Sequence, residues 1–551
     1  MEAPMSDLSP RSPTFTLIHG NEADDLYSGF PKRTSPTPME SRRCVNLEET
    51  VPPTNDHRTL VLCFDGTGDQ FDDDNSNVVN FFSLLKKDDP SKQLVYYQSG
   101  IGTYNIPQVA RPWMAKLHRA VDAMLGSHLN SHVMAGYEFL MQNYEHGDKI
   151  CMFGFSRGAY TARALAGMLH KIGLLPKCNH QQVPFAYNMY SRDDEEGWKQ
   201  STAFKKSFCI DVDIEFLGVW DTVSSVGFVP RRLPFTRSNT HVRYFRHAIA
   251  LDEHRARFLP NFWALLDKTM GVGHGEMPKS RRQATKKPEE EEHGVAVEEE
   301  EIFDEKTAEK KTLRQLEREY SDAQHHHTHV EEVWFVGAHC DVGGGALPNG
   351  TRNYLARIPL RWMIRQCFEL HTGIIFHADM LRLAGLEPRT LYPHVLPRPS
   401  PLLLNPSTSE GSATISSQKS KRSWSQRILR RRSQDDRDKP LNRTVDERTR
   451  DFISEEDEDF MDAMCDINDE LKRVRAWWIL ELFPQQLRFQ DHTRGGLWLK
   501  KLIVHRARGR HIPRQSTDGV KLHRTVKMRM DALGYEPRAK LKKETTLHWV
   551  D

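Results

Sequence analysis

Lys149 to Leu169 read KICMFGFSRGAYTARALAGML. An apolar run from Ile150 to Phe155 carries Gly154-Phe155-Ser156-Arg157-Gly158 at its end, and an Ala-rich stretch of helical character follows at once. A serine held between a buried strand and a helix must sit in a strained backbone conformation. Only small residues two positions to either side let strand and helix approach that closely. The pattern therefore predicts a nucleophile elbow, with Ser156 at the strand end and Gly154 and Gly158 as its spacers. Ala159 and Ala162 continue the close-packed face.

Other segments repeat the design of an apolar run closed by a polar or Gly-rich turn. TLVLCFDGTGD starts at Thr59, QLVYYQSGIGT at Gln93, DVDIEFLGVWDTV at Asp211 and VEEVWFVGAHCDVGGG at Val330, while His132 to Tyr144 has helical spacing. Strands alternating with helical stretches predict an α/β fold, α/β-hydrolase-like, with a mostly parallel sheet flanked by helices and functional groups at the strand ends. A serine hydroxyl needs a base to take its proton, and the base needs an acid to hold its tautomer. In α/β-hydrolases the acid and then the histidine follow the serine in the chain. Asp221 and His339 stand in that order at the ends of IEFLGVW and VWFVGA. Asp341 is the alternative acid, or else braces the glycine turn beside it. His247, His254, His505 and His523 are weaker bases, because none ends an apolar strand. An oxyanion would be met by backbone N–H groups, from Arg157 after the serine and from Gly66 and Thr67 in the turn after the first strand. FDGTGD lacks the nucleophilic aspartate of haloacid-dehalogenase phosphatases, since Cys63 stands in that place. Asp72-Asp73-Asp74-Asn75 lacks the spacing of a calcium loop.

The net charge of +2 implies no global affinity for nucleic acid or membrane. A mean hydropathy of −0.64 is low for a wholly folded chain and predicts disordered parts. These are a Ser/Pro/Thr-rich tail over 1–57 and two insertions within a catalytic domain over 58–551. The insertion at 272–329 holds ten acidic residues between Glu289 and Glu305, then His325-His326-His327-Thr328-His329. Its histidines read as part of a solvated segment rather than a metal site. The insertion at 397–455 includes KSKRSWSQRILRRR, which reads as a solvated linker or as a peripheral contact with an anionic membrane surface. EEDEDFMDAMCDINDELKRVRAWWILELF predicts one amphipathic helix with Trp477, Trp478 and Phe483 in the core. From Pro484 onward 16 Lys/Arg face 6 Asp/Glu, a solvated basic face, a partner for the acidic insertion or a surface for phosphates. The eight cysteines form no CxxC, so neither zinc nor a disulfide framework is expected, and the strand cysteines read as small buried hydrophobes. No cofactor or metal is expected. The N-terminus lacks a signal-peptide pattern and no apolar run reaches membrane-spanning length, so a cytoplasmic protein is expected.

CFDGTGDQ, GFSRGAYTARALAG, FLGVWDTVSSVG, FRHAIALDEHRARFLP and FVGAHCDVGGG, taken in order, resemble an uncharacterised α/β-hydrolase domain family related to type VI secretion phospholipase effectors. GRHIP, LHRTVKMRM and Tyr535-Glu536-Pro537 resemble that family's closing segment. The resemblance covers 58–270, 330–395 and 455–551. It implies a serine esterase of phospholipase A type, with Ser156 as nucleophile, Asp221 as acid and His339 as base. The family's late element stands here as His523-Arg524-Thr525-Val526. An ester or phospholipid substrate is expected and no specific nucleic acid. The alternative is a catalytically silent hydrolase fold that binds partners through its charged insertions. The segment from Phe228 to Trp263 and the region of Trp113 are candidates for covering the site.

Overall fold

A computed structural model describes residues 49–100, 129–223, 233–263, 317, 327–399, 454–474, 477–482, 484–491 and 497–551, with backbone alone for 479, 480 and most of 484–503. The apolar runs become strands. In chain order these are β1 (Thr50–Val51), β2 (Thr59–Phe64), β3 (Gln93–Gln98), β4 (Lys149–Phe155), β5 (Ile214–Trp220), β6 (Val242–Ala250), β7 (His329–Phe335), β8 (Phe376–His377), β9 (Pro484–Asp491), β10 (Leu497–Val504), β11 (Val520–His523) and β12 (Leu547–Val550). Eight of them form one sheet in the order β12–β11–β7–β6–β5–β4–β2–β3, every neighbouring pair parallel.

The sheet is covered on both faces, which is why its central strands are near-continuous apolar runs rather than alternating ones. Side chains leave β2 alternately to two cores. Leu60, Leu62 and Phe64 join a core with the helices Leu129–Asn143, Ser156–Ile172, Val183–Ser191 and Glu195–Phe208. Val61 and Cys63 join another with the helices Asn77–Leu84, Arg357–Glu369 and Ala378–Leu383. This is the expected α/β architecture. β3 lies on one side of β2 and β4 on the other, so the chain leaves β2 in opposite directions. Open α/β sheets place ligands at the strand C-termini beside such a reversal.

Several expectations need correction. Thr50 and Val51, assigned to the tail, pair with His377 and Phe376. The long amphipathic helix is three pieces, Glu455–Ala463, Glu470–Arg473 and Trp477–Glu481. Short polar residues between the first two bond elsewhere and so compete with helix formation. Asn468 donates to Asp341 and Asp469 binds His254 and Arg538. Trp478 is 45% exposed, not core, and Phe483 lies outside the described residues. The basic C-terminal stretch is not only a solvated face, since Arg510, Arg524 and Arg529 are buried.

Helix Glu455–Ala463 docks on helix Arg357–Glu369 by charge. Arg357, Arg361 and Arg365, four residues apart, share one helix face. Arg357 meets Glu458 at 2.8 Å, Arg361 meets Asp459 at 2.6 Å and Asp462 at 2.7 Å, and Arg365 meets Glu455 at 3.0 Å. Arg352 pairs with Glu458, and Arg398 pairs with Glu455 at 3.5 Å and Asp459 at 2.8 Å. The insertion's remaining residues, 400–453, and residues 272–316 and 318–326 of the other lie outside the described structure.

Candidate active site

Ser156 begins the helix Ser156–Ile172 directly after β4, with φ at 57°. That is the left-handed region, disfavoured for a residue with a side chain. The two glycines have the function their spacing implies. A Cβ on Gly154 would lie 2.7 Å from Ala159 Cα, and one on Gly158 would lie 2.3 Å from the carbonyl oxygens of Phe64 and Asp65. Without them the helix could not pass the end of β2. Asp221 follows β5 and also has positive φ, 40°. His339 opens the short helix Ala338 caps, His339–Gly343, four residues beyond β7.

These three strand-end residues meet. His339 Nε2 lies 2.9 Å from Ser156 Oγ, and His339 Nδ1 lies 2.5 Å from Asp221 Oδ2. All three are buried, Ser156 being 5% exposed. A carboxylate only accepts, so Nδ1 carries the proton and Nε2 is left to accept from the serine hydroxyl. The imidazole is wedged between Phe155, 4.6 Å between ring centroids, and Phe258 at 4.9 Å. Phe258 belongs to the segment expected to cover the site; residues 228–232 of that segment and the Trp113 region fall outside the described residues.

The charges are held by residues that sequence reasoning missed. Arg510 donates to Asp221 Oδ1 at 2.6 Å and to Oδ2 at 2.8 Å, while the N–H of Ala250 donates to Oδ1 at 2.9 Å. Burial alone would raise the Asp221 carboxyl, but the Arg510 guanidinium and His339 outweigh it and hold it well below the usual carboxylate range. Burial lowers His339 below the ordinary imidazole value, against the pull of Asp221. Glu253 accepts the backbone N–H of His339 at 3.2 Å and is clamped by Arg255 at 2.7 Å. Burial raises Glu253, yet Arg255 outweighs it and the carboxyl falls to about 2. Arg510 lies in the GRHIP stretch; its signal was that stretch's resemblance to the family's closing segment, which assigned the arginine no role.

The remaining candidates fall differently. Asp341 does not face the His339 ring. It accepts the N–H of Ala338 at 2.9 Å, the N–H of Asn468 at 2.9 Å and the Asn468 amide at 2.7 Å, so it braces the turn, and burial pushes it up to about 6. The Gly66 N–H is directed to Asp65 Oδ1 at 2.8 Å rather than toward the serine. Asp65 also accepts from Ser76 at 2.6 Å and Tyr97 at 2.7 Å, pinning the turn that carries Thr67. Arg157 has a buried guanidinium, lowered to about 10 by burial with Asp69 opposing. His254 pairs with Asp469, His505 with Glu481, and His523 caps the helix Arg524–Leu533. His247 holds a backbone N–H near Asp221 and a carboxylate. Among the described residues no His/Cys/Asp/Glu group is arranged for a metal ion, and His325 and His326 lie outside them.

Comparison with known proteins adds a family. The model described as T6SS, Phospholipase effector Tle1-like, catalytic domain matches residues 58–366. The uncharacterized protein YEL023C of Saccharomyces cerevisiae is 39% identical over 217 residues, 36% of this chain and 32% of the yeast protein. The chain thus matches about a third of that relative's length. Two solved structures are also similar. One, an uncharacterized protein from Pseudomonas aeruginosa, has 16% identity and a TM-score of 0.27, covering 58% of this chain and 46% of its own. The other, the Tle1 effector bound to the VgrG spike of the type 6 secretion system, has 18% identity and a TM-score of 0.22, covering 37% and 47%.

Proposed function

The chain belongs to the family of Tle1-like phospholipase effector catalytic domains, and on that premise we propose that it is a serine hydrolase cleaving a carboxylic ester, with a phospholipid acyl ester as substrate. One observation carries the reading: the unbroken series Ser156 Oγ, His339, Asp221 at 2.9 and 2.5 Å. Ser156 Oγ attacks the ester carbonyl carbon while its proton passes to His339 Nε2. Asp221, ionised by Arg510, stabilises the imidazolium that forms. The charge on the carbonyl oxygen is met by the backbone N–H groups of Arg157 and Thr67, the first in the opening turn of a helix whose dipole favours an anion. Collapse expels the alcohol with the His339 proton and leaves an acyl-enzyme. Water, deprotonated by the same histidine, then releases the fatty acid and restores the serine.

No helix among the described residues is long and apolar enough to cross a membrane. We read the chain as a cytoplasmic protein that reaches lipid by peripheral contact. A fluorophosphonate probe tests the chemistry. The wild-type chain is expected to label and to release fatty acid from phospholipid vesicles, and Ser156→Ala to do neither. Equal labelling of both chains would overturn the mechanism and favour a silent fold that acts by binding.

A further inference from the structure

Asp221 follows β5 with a left-handed backbone, so the next peptide turns out of the sheet ladder and Thr222 N–H needs another acceptor. Three neighbours fix the turn. Asp221 N–H donates to Ala248 O at 2.8 Å and Asn261 N–H to Thr222 O at 2.9 Å. Thr222 N–H itself donates to His247 Nε2 at 3.1 Å, and His247 Nδ1 lies 2.9 Å from Glu332 Oε1. His247 is completely buried on β6, and Glu332, on β7, also accepts the N–H of Trp263 at 3.0 Å.

A backbone N–H only donates, so His247 must accept at Nε2 and carry its proton on Nδ1, toward Glu332. This is another carboxylate–imidazole pair with the same tautomer as Asp221–His339, and the peptide it holds, that of Thr222, is one residue from Asp221 along the chain. Resting on the hydrolase reading above, we propose that the Glu332–His247 pair is a positioning device for the acid: it holds the Thr222 peptide, and thereby keeps the Asp221 carboxylate aimed at His339. His247 touches no reacting atom. Burial keeps its imidazole below the ordinary value, in the neutral form that can accept, although Glu332 pulls the other way.

Leucine and glutamine variants separate positioning from mere filling of the core. His247→Leu offers Thr222 no acceptor. The side chain of His247→Gln has an amide oxygen to accept from Thr222 and an amide N–H to donate to Glu332. His247→Leu is expected to lower kcat and the fluorophosphonate labelling rate by about tenfold to a hundredfold with KM unchanged, the loss typical of a misplaced catalytic group. His247→Gln is expected to restore most of it. A folded leucine variant with the wild-type rate, or equal losses in both variants, would overturn the proposal. Should the leucine variant fail to fold, the tautomer decides. In wild-type chain with ¹⁵N-labelled histidine, the signal absent from His247→Gln is expected to show a protonated Nδ1 and a bare Nε2, and the reverse tautomer sinks the proposal. Wild-type chain that no probe labels removes the hydrolase reading and this inference with it. A labelled chain with the reverse tautomer removes this inference alone.

Discussion

Ser156 and Asp221 share a backbone conformation that neither side chain favours, with φ at 57° and 40°. Each such residue costs about 1–3 kcal/mol and persists only where its surroundings impose it. For Ser156 the surroundings are the contacts that Gly154 and Gly158 permit. For Asp221 they are hydrogen bonds, and the largest single one is electrostatic. Arg510 closes both carboxylate oxygens in a fork that lysine cannot reproduce. Arg510→Leu leaves a buried, uncompensated charge and is expected to cost about 3–5 kcal/mol in denaturant unfolding. Arg510→Lys should fall between that variant and wild type, in stability and in labelling rate alike; a leucine variant as stable as wild type would contradict the clamp. The contrast with the sequence is instructive. Ser156, Asp221 and His339 were legible because each closes an apolar run, and parallel strands gather such ends on one edge. Arg510 was not, because an arginine reads as surface until its partner, 289 residues away, is brought to it. Of the two roles open to Asp341, its hydrogen bonds fit the bracing one, since nearness to His339 along the chain is not nearness to the ring.

At the scale of elements, helices that dock by apolar faces are readable from periodicity, and the helix Leu129–Asn143 was. The helix Glu455–Ala463 was legible as a helix but not as a short one packed by ion pairs. Its carboxylates face Arg357, Arg361 and Arg365 in the interior, where a pair stripped of one partner is costly. Asp459→Asn is expected to destabilise the chain by about 3–5 kcal/mol, measured by denaturant unfolding; a change under about 1 kcal/mol would show that the pairs contribute little. The pH dependence has a definite sign. Burial would raise Asp459 and Glu458, but their arginines outweigh it and hold both below their ordinary values, so the stability they confer is complete above about pH 5 and is lost progressively as pH falls below it. Glu455 shifts upward by burial and works against this trend. Asp459→Asn should therefore shrink the loss of stability on acidification.

Taken as a whole, the chain builds its site from the ends of β4 and β5, the turn after β7 and one arginine near the far terminus. The family match ends at residue 366, so the Asp221 clamp comes from outside it. The edges of the insertion assigned to 397–455 were not legible by composition, because Arg398 and Glu455 lie just inside the assigned boundaries and belong to the ladder. Those two side chains meet, 3.5 Å apart, at the places where the chain leaves and re-enters the described structure. The stretch 400–453 thus starts and finishes at a single clasp. Such a chain tolerates a cut. Nicked by a protease within 400–453, it is expected to remain one particle on a sizing column in native buffer, its halves held by the clasp and by β11 against β7. Denaturant should release two fragments that reassemble when it is removed. Halves that drift apart in native buffer would show that the covalent link, not the clasp, joins them.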